Sequence, residues 1–152
     1  MTTIMKDTPS MPPVSIVIPL RIESTEREAN LHCVLQYLLR SPFVYIDLLE
    51  ADKERHFFFT HHERIRYRFV HDEEPVFYRT HYLNELLREA QHSIVGIWDA
   101  DVLIPEAQLI AAVWHVLGGC VLCFPYNGKF RFLEKERSNA CLLYTSPSPR
   151  DS

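Results

Sequence analysis

The stretch IVGIWDADVLIP, residues 94–105, combines the pattern of a core strand with an acidic pair at its end. Its lead-in is apolar, and Asp99 and Asp101 follow one residue apart. Burying a carboxylate without a partner is costly, and two like charges each disfavour ionisation of the other. Residues two apart in an extended chain point the same way. If the chain stays extended past Asp99, the two carboxylates face one crevice, where a cation between them would offset both costs.

Composition fits one domain and excludes several classes of protein. The chain has 152 residues, of which 47% are hydrophobic and 24% charged, as in soluble globular domains. A net charge of -4 without a Lys/Arg run argues against a nucleic-acid partner. No apolar run reaches the roughly 20 residues of a membrane span, and the first residues lack a signal-peptide core. We therefore expect a cytoplasmic protein with reduced cysteines and no integral membrane segment, and leave a peripheral membrane contact open.

Apolar runs and helical patterns alternate along the chain. The run VSIVIPL, residues 14–20, is typical of a strand buried on both faces of a parallel sheet. Thr25 and Glu28 predict a capping box at the start of the first helix. The pair Cys120 and Cys123 is interpreted as core positions of a strand rather than as a metal or redox motif. Strands are predicted at 14–20, 43–49, 65–70, 93–99 and 120–126, and helices within 24–41, 79–91 and 105–119. This order predicts an α/β, Rossmann-like fold with a mostly parallel sheet flanked by helices.

Polar groups follow three of these strands, at 19–21, 50–52 and 99–101. In open α/β sheets ligands bind beyond the carboxyl ends of the strands, so these groups should share one crevice. Carboxylate oxygens together with substrate phosphates suit a hard divalent cation. The alternative is a pair of exposed carboxylates in a turn that leads to the helix at Pro105. The His-rich segment 56–62 is interpreted as a partly exposed loop rather than a metal site.

Four stretches together resemble family 2 glycosyltransferases of the GT-A fold, over Val14 to about Phe132. They are VSIVIPLRIESTEREANLHCVLQYL (14–38), YIDLLEAD (45–52), FYRTHYLNELLREA (77–90) and the opening stretch. The resemblance implies a GT-A nucleotide-diphospho-sugar transferase fold, truncated at its C-terminus. It also implies metal-dependent transfer of a sugar, with inversion, from a nucleoside-diphosphate sugar to a hydroxyl group.

The resemblance also assigns roles to individual residues. The expected donor is a uridine diphosphate sugar, the acceptor is a glycan or lipid-linked group, and the cofactor is Mn²⁺ or Mg²⁺. The catalytic base, an Asp or Glu in that family, is expected beyond Ala140, so none is named here. Implied donor contacts are Pro19 and Arg21 beside the nucleotide, Glu50 or Asp52 at the base or ribose, Arg79 and Asn84 at the diphosphate, and Asp99; the implied metal ligands are Asp99 and Asp101.

The final segment CLLYTSPSPRDS, residues 141–152, is Ser/Pro-rich and resembles a translated transposase adapter from sequencing libraries. We therefore expect a flexible leader over 1–13 and an incomplete glycosyltransferase domain over 14–140; a natural Ser/Pro tail is the alternative. Two other functions stay open. One is a non-catalytic sugar-nucleotide-binding or interaction module. The other is an aspartyl-nucleophile phosphatase, which also places D-x-D after an apolar strand but expects Thr or Val where Leu103 stands.

Overall fold

The computed structural model describes residues 10–125. Four strands and three helices follow one another in this range. They are β1 (Val14–Leu20), α1 (Thr25–Leu38), β2 (Val44–Asp52), β3 (Ile65–His71), α2 (Arg79–Glu89), β4 (Ile94–Ile97) and α3 (Glu106–Leu117).

All four strands are parallel and form one sheet in the order β3-β2-β1-β4. The central strand β1 pairs with β2 from Val14–Val44 to Leu20–Glu50 and with β4 from Val14–Ile94 to Val17–Ile97. The predicted parallel α/β architecture is therefore confirmed, and it is compatible with a Rossmann-like fold. Because the strands are parallel, their carboxyl ends lie at one edge of the sheet.

Helices cover both faces of the sheet, which explains why β1 is apolar at nearly every position. Alternate residues of a strand point to opposite faces. Ile16 and Ile18 pack in a cluster with residues of α1 and α3, whereas Val17 packs with Tyr82 and Leu86 of α2. Every residue of β1 is buried as a result, including Pro19.

The predicted fifth strand is wrong over residues 120–125, which form no strand in the described part of the chain. A strand needs a neighbour to pair with its backbone groups, and β4 has a described partner only in β1. Val121 is 98% exposed and Cys120 is also exposed, so the interpretation of Cys120 as a core position is wrong too. Tyr126, the last residue of that prediction, lies outside the described residues.

Several boundaries differ from the prediction, and three of the differences bear on the site. Ser24 rather than Thr25 caps α1, because the Ser24 hydroxyl accepts from the backbone N–H of Arg27. The second strand runs on to Asp52, so Glu50 is part of β2 instead of following it. The fourth strand ends at Ile97. The predicted tail at 141–152, the domain beyond residue 125 and most of the leader lie outside the described residues.

Candidate functional site

The Arg21 side chain joins the ends of β1 and β2 to the loop that follows β3. Its Nε donates to the carbonyl of Ala51 at 2.8 Å, and one terminal nitrogen donates to the carbonyl of Glu74 at 2.9 Å. The other terminal nitrogen lies 3.3 Å from Asp72 Oδ2, and the Arg21 side chain is only 8% exposed. Arg21 therefore holds the carboxyl edge together, and it reaches this edge as the sequence predicts.

Glu50 lies at the same edge but is fully buried. Its Oε1 accepts from Tyr67 Oη at 2.6 Å and from the Phe57 N–H at 3.2 Å, and its Oε2 accepts from the His56 N–H at 2.9 Å. Burial, followed by the bond to Glu50, raises the pKa of Tyr67, so its hydroxyl stays protonated and donates. Three donors compensate the buried carboxylate, which fixes the chain just after β2.

Asp52, two residues further on, is more accessible. Its Oδ2 lies 3.1 Å from Nδ1 of His56, and its Oδ1 accepts from the Lys53 N–H. Single ligand atoms of Glu50, Asp52 and His56 all lie within 4.8 Å of one another. This acidic and histidine cluster could hold a metal ion, although the Glu50 oxygens already accept three hydrogen bonds.

Asp72 lies directly after β3, and Asp52 is the last residue of the neighbouring strand β2. The Asp72 N–H donates to the Asp52 carbonyl. Its carboxylate accepts from Tyr82 Oη at 2.6 Å and from the Glu74 N–H at 2.9 Å. These bonds, the one from Tyr82 foremost, lower the pKa of Asp72. Burial and the same bond raise the pKa of Tyr82 to about 12. An ionised carboxylate and a protonated phenol thus connect the β3 loop to α2.

The acidic pair lies in a turn beyond β4. The backbone N–H of Trp98 donates to the Val17 carbonyl, which continues the β4 pairing by one residue, and its indole N–H donates to the Val102 carbonyl at 3.0 Å. The buried Trp98 therefore holds the segment that carries Asp99 and Asp101 in place, through its backbone bond to β1 at one end and its indole bond to Val102 at the other. Both carboxylates are exposed, and residues 100–101 form a turn. The chain does not stay extended past Asp99, because the indole bond to Val102 requires it to fold back. The two carboxylates instead lie exposed at a turn that leads to α3, as in the alternative interpretation.

Arg79, the first residue of α2, pairs with Asp99 of this turn. Its Nη2 lies 2.6 Å from Asp99 Oδ1. Within residues 10–125, the Asp101 carboxylate has no described hydrogen-bond or ion-pair partner. Asn84 is exposed on α2, and the described contacts do not connect it to the acidic turn. The structure thus brings Arg79 and Asp99 together and leaves Asn84 apart from them.

An open groove of about 630 Å³ runs beside the Arg79 side chain. It lies between the loop after β3 and the first turns of α2. Its lining residues are Asp72, Glu74, Phe77, Tyr78, Arg79, Thr80, His81 and Tyr82.

Sequence reasoning missed Asp72 and the aromatic residues of this groove, and it set His56 aside. The run HDEE, residues 71–74, directly follows the predicted third strand at 65–70, as the other acidic groups follow their predicted strands. Applying the strand-end rule to β3 would have found Asp72. His56 had no such signal, because its contact with Asp52 depends on the chain turning after β2.

No protein-family model matches this chain, and no curated protein matches its sequence. No helix within residues 10–125 has both the length and the apolar character to cross a bilayer.

Proposed function

We propose that this chain is the donor-binding part of a metal-dependent glycosyltransferase of the GT-A type, with a uridine diphosphate sugar as donor. The observation that carries the proposal is the exposed acidic turn at the carboxyl edge of a parallel sheet, fastened by Trp98 and faced by Arg79. Open α/β sheets bind ligands at this edge. Two exposed carboxylates, one of which pairs with a guanidinium, suit a cation and a diphosphate together.

The acidic turn fits a hard cation better than the cluster at the end of β2. Mg²⁺ and Mn²⁺ favour carboxylate oxygens and keep several waters, so they need accessible ligands. Asp99 and Asp101 are both exposed, and Asp99 commits one oxygen to Arg79. Glu50, in contrast, is fully buried and already accepts three hydrogen bonds. We therefore assign the metal to Asp99 and Asp101. We assign the loop after β2 a structural role.

The residues implied as donor contacts also divide into structural residues and accessible ones. Pro19 is buried in β1 and Arg21 bonds to the β3 loop, so both support the shape of the edge. Asp52 is more accessible than Glu50, which favours Asp52 for the base or ribose contact. Arg79 is placed to bind the diphosphate, and Asn84 stays a prediction.

The chemistry proposed for the intact protein is direct displacement at the anomeric carbon. An acceptor hydroxyl, on a glycan or lipid-linked group, would attack opposite the diphosphate after losing its proton to a base expected beyond Ala140. A bound Mn²⁺ or Mg²⁺ would neutralise charge on the departing diphosphate. Asp99 and Asp101 would hold that cation, and Arg79 would donate to a phosphate oxygen.

Calorimetric titration of the full 152-residue chain with uridine diphosphate tests the proposal. Binding should require Mn²⁺ or Mg²⁺ and should be lost in Asp99→Ala and Asp101→Ala. Glu63→Ala is the matched control, because Glu63 is exposed just before β3, at the opposite edge of the sheet. Binding that is indifferent to metal and to both aspartates would refute the proposal. Metal-dependent binding by a natural full-length product that transfers no sugar would favour a binding module instead.

A further inference from the structure

We propose that the groove between the β3 loop and α2 binds the planar base of a nucleoside diphosphate, stacked on Tyr78. This inference rests on the proposed function and deepens it by naming where the base lies. The resemblance implies that Glu50 or Asp52, at the end of β2, contacts the base or the ribose; with the base in the groove, Asp52 would contact the ribose. The groove lies one strand further out, at the end of β3.

The lining of the groove suits a nucleoside. The groove is open to solvent, so its residues, and not its volume, carry the comparison with small-molecule sites. Such sites combine apolar and aromatic walls with a few polar groups. Here Phe77, Tyr78 and Tyr82 supply aromatic surface, and Asp72 and Glu74 supply carboxylates.

One aromatic ring of the groove is available for stacking. Phe77 and Tyr82 stack on each other, with ring centroids 5.8 Å apart and an angle of 12° between their planes. Tyr78 makes no ring contact with a described residue, and it is 54% exposed. Every nucleobase has a π face, so an exposed ring on a fixed backbone is a suitable platform.

The wall that carries these rings is fixed before any ligand arrives. The Arg21 guanidinium lies 5.3 Å from the Phe77 ring centroid and donates to the carbonyl of Glu74. Tyr82 Oη donates to Asp72 at the start of the loop. A site that is already ordered has less entropy to lose when the ligand binds.

Glu74 supplies a hydrogen-bond acceptor in the groove. Its side chain is exposed and has no described hydrogen-bond partner within residues 10–125. An ionised carboxylate only accepts hydrogen bonds. Glu74 would therefore accept from an N–H group of the base, and the imide N–H of uracil is one such donor.

Arg79 connects the groove to the acidic turn. It lines the groove, and its Nη2 pairs with Asp99. A ligand with a ring in the groove and an anionic group beside Arg79 would thus span both parts of the site. A nucleoside diphosphate has this chemistry, with the base at one end and the diphosphate at the other.

The test compares uridine diphosphate with pyrophosphate, each titrated into the full chain with Mn²⁺. Uridine diphosphate should bind about tenfold more tightly, as expected for one base stacked on an aromatic ring. Tyr78→Ala should abolish that difference. Tyr78→Phe, which keeps the ring, should retain it, as should Phe58→Ala, which removes an exposed ring outside the groove lining.

Folding does not confound this comparison, because Tyr78 precedes α2 without making a side-chain cap. Equal affinities of the two ligands for the wild-type chain would overturn the groove assignment. An unchanged preference in Tyr78→Ala would overturn it as well, and in both cases the proposed function would stand. If neither ligand binds with Mn²⁺, the proposed function fails, and the groove assignment falls with it.

Discussion

Arg79 Nη2 lies 2.6 Å from Asp99 Oδ1, so the acidic turn is paired with a cation of the chain itself. Both side chains are well exposed, at 41% and 58%. Exposed ion pairs contribute only about 0–1 kcal/mol. This pair therefore orients Arg79 toward the turn but is too weak to exclude a divalent cation from Asp99. It also leaves Arg79 free to exchange Asp99 for a phosphate oxygen at small cost.

Arg79→Ala should tighten Mn²⁺ binding when no nucleotide is present, because it removes a competing positive charge from Asp99. The expected gain is up to about fivefold, which corresponds to the strength of an exposed pair. The same variant should weaken uridine diphosphate binding in the presence of Mn²⁺, since a charge-assisted bond to phosphate is lost. Calorimetry measures both. Arg88→Ala, at the other end of α2, is the control. Unchanged or weaker Mn²⁺ binding in Arg79→Ala would contradict this account.

Glu50→Ala should destabilise the fold strongly. The change leaves three donors, from Tyr67, His56 and Phe57, without their acceptor in or near the core. Each unsatisfied buried group costs about 1–3 kcal/mol, so we expect a loss of about 3 kcal/mol or more. Urea unfolding followed by circular dichroism measures it. Glu54→Ala, four residues away and exposed, should change stability by less than about 0.5 kcal/mol. Equal effects of the two substitutions would mean that Glu50 does not fix the loop.

Arg21 and Glu50 show which part of the site the sequence predicts: the position of a residue at the sheet edge, but not the contacts of its side chain. Strand-end position correctly places both at the carboxyl edge, because parallel strands share that edge. What each side chain contacts there depends on the loops after β2 and β3, which no periodic pattern specifies. Arg21 therefore bonds to the Glu74 carbonyl, and Glu50 turns inward.

The fold itself follows from the sequence more completely than the site does. The apolar run of β1 and the helical spacing of α1 predict their positions closely, because burial on both sheet faces demands these patterns. Residues 120–125 show that composition alone does not predict a strand. They are apolar and rich in strand-forming residues, yet no described strand pairs with them.

Stability should fall in acid partly through Asp72. The folded-state pKa of Asp72 is lowered, chiefly by the bond from Tyr82. Its contribution is therefore complete above the unfolded pKa of about 3.9 and is lost as the pH falls through the lower folded value. Tyr82→Phe should flatten the decline in unfolding free energy below about pH 4. Urea titrations on either side of that pH provide the measurement. Tyr78→Phe, which changes an exposed phenol nearby, should keep the wild-type slope. Parallel declines in Tyr82→Phe and the wild type would disprove the linkage.

Gly96→Ala tests the packing that supports the acidic turn. Gly96 pairs with Ile16 across β1 and β4, and a Cβ at Gly96 would lie 2.7 Å from Ile16 Cδ1. Ile16 is fully buried, so its side chain has little room to yield, and overpacking of this kind costs about 1–3 kcal/mol. Ile16→Val removes the Cδ1 atom and by itself costs about 0.5–1.5 kcal/mol. The double variant should be more stable than the sum of the two losses predicts, since the clash is then absent. Gly118→Ala, where the nearest atom is 3.4 Å away, should be close to neutral in the same unfolding assay. Strict additivity of Gly96→Ala and Ile16→Val would show that the close approach of these strands does not limit the residue at position 96.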